Sequence, residues 1–104
     1  AERFEPAMVA HDRLRVYVLR GPRTVLAWCR DRQNTWQTEL ADGKAPQAIR
    51  GATVALGEAG RPLAAVRFYD PWSNRWTDGA AGAGGAIELP DFTRSLVVRA
   101  RSGR

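Results

Sequence analysis

The sequence predicts an all-β fold, an antiparallel β-sandwich of about seven short strands, on three observations. Apolar and polar residues alternate with a period of two in several separate stretches. Glycine, proline and asparagine signals break the chain every few residues between those stretches. No segment carries the 3.6-residue period of an amphipathic helix, which disfavours an α/β arrangement, and no internal repeat is evident.

Residues 1–12 hold Glu2, Glu5, Pro6 and Asp12 without a clean period and read as a lead-in or linker, leaving 13–104 as the sandwich domain. Residues 13–20 alternate well: Leu14, Val16 and Val18 share one face, Arg13, Arg15 and Tyr17 the other. Gly21-Pro22 then turns the chain into a second strand over 23–30, and the short link predicts an antiparallel hairpin. Within that strand Trp28 and Cys29 read as core. Residues 31–48 form a long polar loop that contains Trp36, and long loops are often functional. A third strand is expected over 49–56, a turn over 57–62 and a fourth strand over 63–70, with Val66 and Phe68 inward and Arg67 and Tyr69 outward. Pro71-Trp72-Ser73-Asn74 makes a tight turn, Asn74 taking a left-handed position, into Arg75-Trp76-Thr77. Gly79 to Gly85 reads as a flexible glycine–alanine loop. Short strands follow at 86–89 and at 94–100, where Leu96 and Val98 share a face.

The length of 104 residues suits one domain with its own core. No apolar run approaches the ~20 residues that span a membrane, so no membrane partner is expected. The opening Ala1-Glu2-Arg3-Phe4 lacks an initiator Met and a signal-peptide pattern, so the chain is expected to be a fragment or a mature product of something longer. A single cysteine, Cys29, rules out an intrachain disulfide. The net charge of +5 comes almost wholly from arginine, Lys44 being the lone lysine. The arginines are dispersed with no run of like charge. They read as a compositional habit more than a binding signature, and nucleic acid is not the expected partner.

Catalysis and metal binding need convergent groups, and the sequence offers none. His11 is the single histidine, and Asp31, Asp70, Asp78 and Glu88 are isolated acids. The glycine-rich stretch leads into a strand and not a helix, so it is not a phosphate cradle. No catalytic residue, metal ligand or cofactor is therefore assigned. The four tryptophans are the informative residues. Trp36, Tyr69, Trp72 and Trp76 are the candidates either for stacking on sugar rings or for packing against a neighbouring domain.

Five stretches carry a resemblance. They are Leu14-Arg15-Val16-Tyr17-Val18-Leu19-Arg20, residues 26–36 from Leu26-Ala27-Trp28 to Asn34-Thr35-Trp36, Ile49-Arg50-Gly51-Ala52-Thr53-Val54, Val66-Arg67-Phe68-Tyr69-Asp70-Pro71-Trp72-Ser73-Asn74, and residues 87–99 from Ile87-Glu88-Leu89-Pro90 to Val97-Val98-Arg99. Together, over about residues 13–100, they make the chain resemble the C-terminal β-sandwich accessory domain that follows the (β/α) barrel in bacterial glycoside hydrolases of the cellulase and mannanase type. Some relatives carry a collagen-binding label. The family usually has glycine where Asn74 stands. Its catalytic acids belong to the barrel, and none carries over to this chain.

The resemblance implies a non-catalytic accessory module, whose partner is the catalytic barrel of the same parent chain and which either supports that barrel or aids polysaccharide contact. The parent would be secreted or periplasmic. This reading predicts an exposed apolar patch on one face. An independent carbohydrate-binding module is the alternative, and it needs the candidate aromatics exposed and roughly coplanar. A polyanion or nucleic-acid binder would instead need Arg13, Arg15, Arg67 and Arg99 gathered on one face.

Overall fold

The computed structural model describes residues 3–33, 40, 43, 45–57 and 62–102. The fold is all-β and antiparallel throughout, with no α-helix among the described residues. Among the described residues there are ten strands: β1 (Glu5–Val9), β2 (Leu14–Arg20), β3 (Thr24–Asp31), β4 (Ala48–Ile49), β5 (Thr53–Ala55), β6 (Leu63–Asp70), β7 (Arg75–Asp78), β8 (Ala86–Glu88), β9 (Phe92–Thr93) and β10 (Ser95–Ser102). One layer is a six-stranded sheet in the order β1-β2-β3-β10-β6-β7. Two ribbons, β4-β9 and β5-β8, contribute the rest of the core.

The core forms because alternate residues of the large sheet point the same way. Leu14, Val16 and Val18 of β2, Val25, Ala27 and Cys29 of β3, Val66 and Phe68 of β6, and Leu96, Val98 and Ala100 of β10 are all buried. Ile49, Val54, Leu56, Ile87, Leu89 and Phe92 complete the same cluster from the ribbons and their flanks. Each large side chain buried in this way contributes about 1.5–3 kcal/mol. The layers are also stitched by polar groups: the Arg20 guanidinium donates to the Leu56 carbonyl at 2.7 Å.

Several segments differ from the expected pattern. The lead-in contributes β1, which pairs with β2 from Glu5 opposite Arg20 to Val9 opposite Val16. Its side chains stay largely exposed on both faces, so no alternation marks it, and an edge strand tolerates Pro6. The third strand is split by Gly51, whose φ of +66° breaks the extended run. The last strand starts one residue later than expected, after Arg94, whose φ of +66° separates it, as β10, from the two-residue β9. The glycine–alanine loop includes a short turn at Ala83–Gly85, with Gly84 and Gly85 at φ +70° and +75°, that passes tightly over Gly57. A Cβ on Gly85 would sit 2.2 Å from the Gly57 Cα, so neither position has room for a side chain. Asn74 does take the left-handed conformation, at φ +53°.

Candidate functional site

The face of the large sheet turned away from the core carries the residues of interest. Trp28 was expected in the core, and the structure corrects this: it is 55% exposed, while Cys29 beside it is fully buried. Neighbouring strand residues point to opposite faces, so an inward Cys29 forces Trp28 outward.

The strand registers align one residue from each of the six strands into a row. Met8 lies opposite Tyr17, Tyr17 opposite Trp28, Trp28 opposite Val97, Val97 opposite Tyr69, and Tyr69 opposite Trp76. At a strand spacing near 4.8 Å the row spans about 24 Å. Met8 is 69% exposed, and Tyr17 and Trp76 are 45% exposed. The next row begins Pro6, Leu19, Leu26 and continues as Arg99, Arg67 and Asp78. Over β1 to β3 these side chains line an apolar groove of about 460 Å³, formed by Pro6, Met8, Tyr17, Leu19, Leu26, Trp28 and Val97. Contiguous exposed apolar surface of this kind makes the groove the candidate site.

The face is also strongly cationic. Arg15 lies opposite Arg30, and Arg99 opposite Arg67. With Arg101 they place five exposed guanidiniums among the strand residues of this face, against the single carboxylate of Asp78. That is a formal excess of four positive charges. Arg67 meets Asp78 at 3.3 Å and also lies 4.8 Å from the centre of the Trp76 ring, a cation–π contact.

The four sequence candidates separate. Trp36 lies outside the described residues. Tyr69 and Trp76 are cross-strand neighbours, with ring centres 5.0 Å apart and planes tilted by 43°. The Tyr69 hydroxyl donates to Asn74 Oδ1 at 2.7 Å, which ties the ring to the turn. Trp72 sits on that turn, 60% exposed. Its indole N–H donates to Ser95 Oγ at 3.1 Å, and the Arg94 guanidinium lies 4.6 Å from its ring centre. Asp70 builds the turn by accepting the Trp72 and Ser73 backbone N–H groups at 2.9 and 3.3 Å.

Met8, Tyr17, Leu19 and Trp28 were missed as site residues. The signal for Trp28 was its shared parity with Arg30, which a strand cannot bury without a partner. Elsewhere the polar groups serve the fold. His11 Nδ1 accepts the backbone N–H groups of Arg13 and Leu14, each at 3.1 Å, and so fixes the entry to β2. Burial pushes the Cys29 thiol up to about 12, which makes it an inert core group. Among the described residues no three His, Cys, Asp or Glu side chains gather. No helix among them is long and apolar enough to cross a membrane. No family model and no curated protein matches the chain.

Proposed function

We propose that the chain is a non-catalytic accessory β-sandwich domain of an exported bacterial carbohydrate-active enzyme, and that the outer face of its large sheet seats against the catalytic barrel of the parent chain. The observation that supports this is the in-register row from Met8 to Trp76, with the apolar groove beside it. The composition of that face is that of a protein interface: tryptophan, tyrosine and methionine along the row, arginine beside it, and no lysine among its described strand residues. The resemblance of residues 13–100 to domains that follow such barrels supplies the identity of the neighbour.

Side-chain footprinting with hydroxyl radicals tests the reading. In the parent polypeptide Met8, Tyr17 and Trp28 are expected to label several-fold more slowly than in the isolated chain. Equal labelling in both would overturn it. The isolated chain is expected to hydrolyse no glycan.

The β6–β7 turn favours a second reading, a carbohydrate-binding module. Trp72 and Trp76 are exposed there and held by arginine stacking. The tilt of Trp76 against Tyr69 argues against a flat stacking platform. Isothermal titration against a panel of plant and bacterial polysaccharides decides it: heat of binding that disappears in Trp72→Ala supports the module, and no heat above dilution rules it out.

A further inference from the structure

We infer that the outer face recognises its neighbour as an acidic protein surface: an apolar protrusion that fills the groove beside Trp28, flanked by carboxylates that meet Arg15 and Arg30 on one side and Arg99 on the other. The inference rests on the docking reading above and adds the chemistry of the opposing surface.

Charge complementarity carries it. Arg15, Arg30 and Arg99 are exposed, and among the described residues no carboxylate lies in ion-pair contact with them. Arginine in this setting presents planar donor forks suited to carboxylates, and rim charges of this kind steer association and set orientation. The same charge works against a second copy as the occupant at low ionic strength, because an isologous contact would set this cationic face against itself. It also needs a partner that can fill an apolar concavity. The groove walls are proline, methionine, leucine and valine around the Tyr17 and Trp28 rings, and they offer few of the hydrogen-bonding groups that a base edge or a sugar hydroxyl requires. At the far end of the row Arg67 already lies over Trp76, so that ring is partly occupied. A folded protein surface with an apolar centre and an acidic rim satisfies both the groove and the arginines.

The experiment is a charge reversal in the intact parent polypeptide, read by labelling of Met8 and Trp28. Arg15→Glu with Arg30→Glu is expected to raise labelling of both residues to within about twofold of the isolated chain, by setting like charges together. Arg15→Lys with Arg30→Lys is expected to keep most of the protection. Both pairs are exposed, so circular dichroism of the variants should match the wild type. If the wild-type parent is protected and the Glu variant is protected equally, the acidic rim is wrong while docking stands. If the wild-type parent is unprotected, docking itself fails and the inference with it. Salt-sensitive retention of the parent on heparin, as strong as that of the isolated chain, would also overturn it, since the face would then be open to any polyanion.

Discussion

Cys29 shows what burial does to a single titratable group. Its thiol is raised from 9.0 to about 12 by desolvation alone. The folded chain therefore keeps a proton that the unfolded chain gives up once the pH passes the unfolded value. Above about pH 9 the unfolded state binds fewer protons, so stability falls as pH rises, and the loss continues until about pH 12. The slope attributable to this residue approaches about 1.4 kcal/mol per pH unit in that window. Denaturant unfolding of the wild type and Cys29→Val across this range should show the wild type losing stability faster, with the two curves parallel below pH 8 or so. Gly85 makes a steric prediction. Any side chain there meets the backbone of Gly57 and must also hold a φ of +75°. Gly85→Ala should lower the unfolding free energy by about 3 kcal/mol, read from the urea midpoint. Gly43→Ala, at a similar φ but with open space around it, should cost only the strain, about 1–2 kcal/mol.

At the scale of the strand, period-two patterning is a strong guide where one face is wet and the other dry. β2, β6 and β10 have that contrast, and their inward residues are Leu14, Val16 and Val18, Val66 and Phe68, and Leu96 and Val98, as their alternation indicates. β3 carries apolar residues on both faces, and hydrophobicity alone there points Trp28 to the core. Parity with Arg30 points it outward, and parity is the physical constraint. β1 has neither face buried, so it leaves no mark in the sequence at all. The ribbon strands are two or three residues long, too short to show a period, and Gly51 and Arg94 break them where only a backbone angle, not a composition, tells the story. The candidate site was legible in part for the same reason. Tyr69 and Trp76 share a hairpin and could be paired from sequence, whereas their alignment with Tyr17 and Trp28 depends on the strand order, which alternation does not give. Deleting residues 1–9 makes the point experimentally. The urea midpoint should move little, because β1 buries little, while the uncovered β2 edge should raise aggregation measured by light scattering.

For the whole molecule, the balance between an apolar groove and the cationic charge around it sets solution behaviour. At low ionic strength the arginines hold two copies of the outer face apart. Added salt shortens the Debye length to about 10 Å at 0.1 M and less beyond, which unmasks the apolar surface. Sedimentation velocity should therefore show a monomer at low salt and growing self-association as salt increases, and Trp28→Asp should suppress that association. A rise of oligomers on lowering the salt would contradict the charge argument. Since the tight hairpin closed by Gly21 N–H to the Thr24 carbonyl locks Val25, Ala27 and Cys29 inward, the side chains between them are free to change without disturbing the interior. The sheet thus works as a mounting plate: its back is committed to holding the domain together, while its front can be re-dressed, one alternate residue at a time, to match a different neighbour.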